Sequence, residues 1–472
     1  MMQPEPPQNA RVAKKRPSVL IFVDLPGRDL MGDGLIAHEL GKLGIDCHLE
    51  PLQSWQAGIY AYEPDFVLYN HLTSEKLADY SQELRGYGVL VGCLLNEGLV
   101  YENTAREFVS KPQYDNIHCD LFLCWNDAHR DALIERAFCS PSEMTQTVGC
   151  PRFDFYKEPW RRVYEAKLEK KDVRPVILVN ATFVLAHFQT LPKENADRFF
   201  EPWKDKIANL TDYMALVKAH FDSRGMLPGF LEELLQTGSY RIILRPHPRE
   251  ELAFYHDWLA TLPAERRELI TLEERARENP PFSSIIAADV VVNCEDCTTA
   301  MEAWLADKPT VTIALTRHPF CFTETYTRLS PLVETPATLV AAVEEALESP
   351  QQEAYSADRK EHLDRWLGHH EGDSARRAAL EIKAAIEARG KRPEFPKRFG
   401  NLRKALKLRF LHMFNEPYTF QPKHYFRNKR AGREENLPMK FRSYLKSIRP
   451  SDVAEARRTL RQIDPATQPQ GK

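Results

Sequence analysis

Residues 18–24 read Ser-Val-Leu-Ile-Phe-Val-Asp, an unbroken apolar run closed by an acid. Continuous rather than alternating hydrophobicity over this length is the pattern of a strand covered on both faces, as in a parallel sheet. A glycine-containing loop follows (LPGRDLMGDG, 25–34). From Leu30 to Leu43 the apolar residues then recur at helical spacing, and Gly44 supplies the stop. The same alternation runs on. Strands are predicted at Asp46–Leu49, Asp65–Asn70, Gly88–Leu94 and Leu121–Trp125, with a short piece at Gln146–Val148; helical patterns lie between them at Ser74–Leu84 and Asp127–Ala137. A charged connector at Glu158–Asp172 separates this series from a second. There, strands at Val176–Asn180, Tyr240–Leu244, Ile285–Asn293 and Thr310–Ala314 alternate with helices at Pro202–Phe221 and Leu227–Gln236. Strand–helix alternation of this kind specifies an α/β chain with parallel sheets, here two Rossmann-like, doubly wound domains facing an interdomain cleft.

The expected boundaries are a disordered N-terminus at 1–15, a first domain at 16–157, a linker at 158–172 and a second domain at 173–345. Closing helices occupy 346–390 and a basic, aromatic tail 391–472. With 472 residues, 43% hydrophobic and 28% charged, the chain is long enough for several cores and too apolar to be wholly disordered. Its longest apolar runs are strand-length, well short of the roughly 18 residues a membrane span needs. Lys14, Lys15 and Arg16 precede an apolar run too short for a secretory signal. Nine cysteines without regular spacing point to reduced thiols and a cytoplasmic protein.

The net charge of −3 hides an asymmetry. Residues 389–472 hold 22 Lys and Arg against 7 Asp and Glu, whereas 1–388 hold 42 against 60. A basic tail on an acidic body suits a polyanionic partner. The acidic body would repel nucleic acid, which favours an anionic membrane surface. Within the tail, Leu402–Phe414 forms an amphipathic pattern, with Leu402, Leu406, Phe410 and Phe414 on one side and Arg403, Lys404 and Lys407 largely on the other.

Ligands of doubly wound domains bind outside the carboxyl ends of the strands. Two constellations fall there. Arg245-Pro246-His247-Pro248 follows the strand Tyr240–Leu244: the prolines stiffen the backbone around His247, and Arg245 offers a fork for phosphate. Asn293-Cys294-Glu295-Asp296-Cys297-Thr298-Thr299 passes from a buried strand to a helix carrying Glu302. Hydroxyls and unpaired N–H groups at a helix start suit an anion, although capping alone explains the threonines. One CxxC pair (Cys294, Cys297) and the His369-His370 pair are weak metal signals. In the first domain Arg28-Asp29 and Asn96-Glu97-Gly98 lie beyond strand ends, where a carboxylate can serve as general base. Gly149-Cys150-Pro151-Arg152-Phe153-Asp154 closes the domain, its Arg152/Asp154 pair suited to bracing a hinge.

Taken together, RPHP at 245–248, Thr298-Thr299-x-x-Glu302-Ala303 and Asp307-Lys308-Pro309 resemble the donor half of GT-B glycosyltransferases. The nearest group is the bacterial surface carbohydrate (surface polysaccharide) biosynthesis proteins, which share features with β-Kdo transferases and CDP-glycerol glycerophosphotransferases. Residues 149–154 resemble that group's G-N-P-R-F-D with Cys150 in place of Asn; Arg28-Asp29-Leu30 resembles its R-[ED]-L, and Asn96-Glu97-Gly98 its D-E-E-G with Asn96 in place of an acid. The likeness spans about 18–388.

It implies a glycosyltransferase that moves a sugar from a nucleotide-activated donor to a glycan or lipid-linked acceptor. The second domain would hold the donor and the first the acceptor. Arg245, His247, Thr298 and Thr299 would contact phosphate, Glu302 the ribose or base, and Glu97 or else Asp29 would deprotonate the acceptor. No cofactor and no metal would be required, since cationic side chains and a helix start stabilise the leaving phosphate. The protein would work at the inner face of the cytoplasmic membrane. Alternative readings are a CDP-polyol phosphotransferase, a nucleotide-sugar 2-epimerase, and a catalytically silent partner in polysaccharide assembly.

Overall fold

The computed structural model describes residues 16–71, 75–96, 98–99, 118–135, 145–165, 173–201, 204, 210–274, 280–295, 297–319, 321–322, 328–418 and 446–464. Two six-stranded parallel sheets organise them. The first contains β1 (Ser18–Val23), β2 (Asp46–Pro51), β3 (Phe66–Tyr69), β4 (Leu90–Leu94), β5 (Leu121–Cys124) and β6 (Thr145–Thr147) in the order β2-β1-β3-β4-β5-β6. The second contains β7 (Val176–Asn180), β8 (Arg241–Arg245), β9 (Ile270–Leu272), β10 (Val290–Cys294), β11 (Thr310–Ile313) and β12 (Leu332–Val333) in the order β12-β11-β10-β7-β8-β9. Each reverses its winding once, between β1 and β3 in the first sheet and between β7 and β10 in the second. Registers place Val19 opposite Phe66 and Asn293 opposite Asn180. The central strands are buried along their whole length, as their uninterrupted apolar runs require.

Around the first sheet lie α1 (Pro26–Lys42), α2 (Trp55–Tyr62), α3 (Glu75–Gly86) and α4 (Asp127–Glu135). Around the second lie α5 (Lys193–Phe200), α6 (Tyr213–Thr237), α7 (Ala253–Thr261), α8 (Pro281–Ala287), α9 (Thr299–Leu305) and α10 (Pro336–Glu348). The chain continues through α11 (Glu353–Leu367) and α12 (Ser374–Arg389) to α13 (Phe399–Met413) and α14 (Pro450–Ile463).

Two local expectations are corrected. Ile285–Asn293 is not one strand: Pro281 at a helix N1 position starts α8, which runs to Ala287, and the strand begins at Val290. An apolar run has no period of its own, so the helix end and the following strand look continuous in sequence. The expected division of 202–236 into two helices also fails on its C-terminal side. Residues 213–237 form one 25-residue helix with Pro228 inside it. Its apolar face, including Leu227, Phe230, Leu231 and Leu234, is buried in the domain core, and this burial outweighs the roughly 3 kcal/mol that an interior proline costs. Helix α11 falls within the closing helices expected at 346–390, whereas helices α2 and α14 and strands β9 and β12 carried no signal strong enough to be anticipated.

One hydrophobic cluster runs from the first sheet through the hinge segment into the second domain, joining Leu123, Phe155, Tyr164, Phe282, Val291 and Ile382. The returning helices reinforce it. Nδ2 of Asn126 donates to the Trp366 carbonyl at 2.6 Å, and Arg389 pairs with the buried carboxylate of Asp65 at 2.6 Å.

Candidate active site

At the winding reversal of the second sheet, Asn180 ends β7 and Asn293 stands one residue before the end of β10, both buried. Nδ2 of Asn180 donates to Oδ1 of Asn293 at 3.1 Å. The Thr299 hydroxyl lies 2.9 Å from the same Oδ1 and 2.8 Å from the Cys297 sulfur. Thr298 occupies the N-cap position of the seven-residue α9 without a side-chain capping bond. Glu295 reaches the left-handed region (φ 56°) and accepts from the Arg317 N–H at 2.9 Å, fastening the loop after β10 to the loop after β11. Asp296 lies outside the described residues.

The Arg245-Pro246-His247-Pro248 segment leaves β8 beside this point. Arg245 is buried and its guanidinium meets the Glu273 carboxylate at 2.7 Å, so here its charge is engaged within the protein. The His247 N–H donates to Glu250, whose other oxygen accepts from the Tyr255 hydroxyl at 2.6 Å. The Arg249 N–H donates to Nδ1 of His247 at 3.2 Å. That bond selects, for the neutral ring, the tautomer carrying its proton on Nε2, the one that can donate to a phosphate oxygen. His220 of α6 and His318, after β11, stand in the same electrostatic neighbourhood. Burial pushes His220 down to about 4, with the positive potential of His318 and His247 adding to the effect. It is neutral at physiological pH, its Nε2 3.3 Å from the Cys321 sulfur.

Neither His220 nor His318 was singled out from the sequence. Arg317-His318-Pro319 just beyond a strand repeats the chemistry of 245–247 and offered a usable signal; His220, inside a long helix, offered none.

The first domain carries a polar recess, lined by Asp29, Gly32, Asp33, Leu95, Asn96 and Arg152. Asp29 and Asp33 are one helical turn apart on α1. Asp29 accepts from the Leu25 N–H at 3.0 Å, from Arg28 Nε at 2.6 Å and from Arg28 Nη2 at 3.0 Å, with Asn96 Nδ2 at 3.4 Å. Asp33 differs. Burial holds its carboxyl well above the usual carboxylate range, the neighbouring Asp29 adds to this and Arg28 opposes it. Its Oδ2 is sealed from solvent with no hydrogen-bond partner among the described residues. Glu97, the other expected base, lies outside the described residues. Asp24, at the end of β1, forms an ion pair with Lys446 of the C-terminal segment, which brings the tail to the winding reversal of the first sheet.

The hinge pair braces the end of the first domain. Arg152 donates to the Asn96 carbonyl at 3.2 Å and its guanidinium lies 5.0 Å from the rings of Trp125 and Phe153. Asp154, buried, accepts from the Ser374 and Ala375 N–H groups at 3.1 and 2.9 Å, which caps α12. Glu302 accepts from the Tyr156 hydroxyl at 2.6 Å across the domain boundary.

Of the residues in the weak metal signals, Cys294 is buried, the Cys297 sulfur accepts from the Thr299 hydroxyl and His370 pairs with Asp364 at 2.8 Å. Among the described residues, His38, Glu39 and Asp464 gather closely enough for a metal, but Lys42 meets Glu39 at 2.9 Å and Asp464 at 3.1 Å and supplies the positive charge there.

No protein-family model and no curated protein matches the chain. Solved structures do. The wall teichoic acid polymerase TagF superposes with a TM-score of 0.51 at 12% identity, covering 80% of this chain and 91% of that one. A UDP-N-acetylglucosamine 2-epimerase from Listeria monocytogenes gives 0.49 at 13% identity, covering 81% and 100%. MnaA of S. aureus with UDP gives 0.48 at 12%, covering 81% and 100%. At such identities a likeness concerns architecture, and of these three the TagF superposition carries it. Together with the two parallel sheets and their single winding reversals, it establishes the two-domain α/β fold of GT-B type.

Proposed function

We propose that the protein is a GT-B glycosyltransferase of surface polysaccharide assembly, moving a sugar from a nucleotide-activated donor to a glycan or lipid-linked acceptor. The observation that supports this reading is that unlike sets of polar groups lie at the carboxyl edges of the two sheets: a histidine-rich set in the second domain and a carboxyl-lined recess in the first. In the second domain His247 and His318 stand near the buried His220, and the Thr299 hydroxyl lies at the start of α9 beside Asn293; imidazole and hydroxyl donors of this kind suit a diphosphate. The first-domain recess is lined by two carboxyls one helical turn apart, Asp29 and Asp33, either of which could accept a proton from an acceptor hydroxyl.

In this reading Nε2–H of His247 donates to the donor phosphate, with Thr298 and Thr299 beside it. Arg245 orients the loop through Glu273, so its contribution to phosphate binding is indirect unless that pair opens. Glu302, held by the Tyr156 hydroxyl, is the residue this reading assigns to the ribose or base. Charge leaving with the nucleotide is met by imidazole and hydroxyl donors, with no metal in the scheme. Asp33 acts as base, in place of Asp29, whose oxygens are already taken; Glu97 is the second carboxylate to test. The acceptor's lipid anchor would bring the protein to the inner face of the cytoplasmic membrane.

A panel of CMP, CDP, UDP, GDP and dTDP against the wild type and His247→Ala tests the donor site by thermal shift. At a hundredfold excess over Kd the preferred nucleotide should stabilise by about 2.7 kcal/mol, and His247→Ala should lose that shift. Absence of a shift with every nucleotide would refute the donor reading. Product analysis then separates related chemistries: a phosphodiester with CMP released indicates polyol-phosphate transfer, and conversion of a nucleotide sugar without acceptor indicates an epimerase.

A further inference from the structure

The helix α13 has two apolar faces, and the protein covers one of them. Ala405 and Leu408 pack against Ala57 and Ala61 of α2, and two polar contacts lock that face: Lys404 Nζ to Gln56 Oε1 at 2.7 Å and Arg409 Nη2 to the Ala61 carbonyl at 2.6 Å. The other face follows the spacing 399, 402, 406, 410, 413, consecutive steps of three and four that place all five side chains along one side of a helix. Phe399 is 84% exposed, Leu402 56%, Leu406 55%, Phe410 59% and Met413 81%, and Phe414 extends the stripe beyond the helix end. Large apolar side chains grouped this way are unusual on a protein surface unless something else covers them.

We infer that this outward face of α13 is a membrane-docking surface that lies in the headgroup region of an anionic bilayer, with Leu406 and Phe410 at its centre. Charge selects the occupant. By helical position Arg403 and Lys407 border the stripe on one margin and Arg409 on the other, and the exposed Lys397 and Arg398 precede it. Apolar residues flanked by bases match an interfacial helix on anionic lipid. A second copy of the chain is a poor match, because a two-fold contact through the same face would bring the bases of both margins against their own copies. Because α13 is fixed on α2, the stripe is presented as a preformed surface. The inference rests on the reading of a lipid-linked acceptor for its purpose only; its physical basis is the exposed face and its charged margins.

The test is flotation of the full-length protein with phosphatidylcholine vesicles, with and without phosphatidylglycerol, at low and high salt. Wild type should float with the anionic vesicles and be released by salt. The double variant Leu406→Glu/Phe410→Glu, altered at exposed positions, should keep the wild-type circular dichroism spectrum and melting temperature. Its vesicle affinity should fall at least about tenfold, given that burying one Leu or Phe is worth that much or more. In a Phe410→Trp variant the emission should shift to the blue on anionic vesicles. Unchanged flotation of the double variant would overturn the assignment. So would a wild type that ignores anionic vesicles, or a substitution whose only effect is to turn a dimer into a monomer by light scattering, which would assign the face to a second copy. No nucleotide is present in these assays, so their outcome is independent of the donor-site test.

Discussion

Glu50 and Asp33 are acids whose burial changes what they can do. Glu50 ends β2 and is 2% exposed, accepting from the Tyr62 hydroxyl at 2.7 Å and the Ser54 hydroxyl at 3.1 Å. Burial pushes its carboxyl from 4.5 up to about 7 against those two bonds. Between those values the folded chain binds a proton that the unfolded chain has released, so this group's contribution to stability falls as pH rises through that interval. Glu50→Gln keeps an acceptor for Tyr62 and removes the titration. The variant should match wild type below about pH 4 and exceed it by up to about 3 kcal/mol above pH 8, measured by urea denaturation across pH; an unchanged pH slope would contradict the assignment. Asp33 belongs to the proposed chemistry. Asp33→Asn should lower the transfer rate by roughly 10²–10⁴-fold while leaving the nucleotide thermal shift intact. Retention of full turnover would return the role to Glu97.

The segment 149–156 turns a motif into a joint. Gly149 has φ +85°, and a Cβ there would lie 2.3 Å from the His369 carbonyl and 2.5 Å from the Ser374 hydroxyl, so only glycine lets the chain pass under the start of α12. Five residues on, Asp154 caps that same helix through two backbone N–H groups. The motif therefore fixes where α12 begins, and α12 in turn packs on α1 and the first sheet. Asp154→Ala removes both acceptors from a buried helix start and should cost about 2 kcal/mol. Equilibrium denaturation reads this directly, and an effect below a few tenths of a kcal/mol would show that α12 does not depend on this cap.

The two domains share more than a linker. The hydrophobic cluster that joins Leu123 to Phe282 and Val291, the Tyr156–Glu302 bond and the return of α11 and α12 to the first domain make the halves mechanically interdependent. Calorimetry should therefore show a single cooperative transition, and two resolved transitions would mean that the shared core is not rate- or stability-determining for either half. The C-terminal segment is part of this body as well: Leu460 of α14 packs against α1, where a Cβ at Gly34 would touch it at 3.6 Å, and His38 and Lys42 meet Asp464 at 2.7 and 3.1 Å.

The identity of most strands, the parallel α/β class and the placing of 245–248 and 293–302 beyond strand ends were readable from local patterns, because an apolar run of strand length bounded by loop residues has few other solutions; the short β9 and β12 were not. So was the amphipathic character of 402–414. Partner choice was not readable. Glu273 claims Arg245 across 28 positions, Tyr156 claims Glu302 across 146, and Lys446 reaches Asp24 across 422; such pairings depend on how elements stack. Asp33 became distinct from Asp29 only because one is sealed without donors and the other is surrounded by them, although a spacing of four residues already put them on one helix face. The helix at 281–287 hid inside an apolar run whose two halves differ only in backbone geometry. Propensity and pattern act over a few residues and specify elements; desolvation and charge pairing act between elements, so the chemical state of a buried side chain is set when those elements come together.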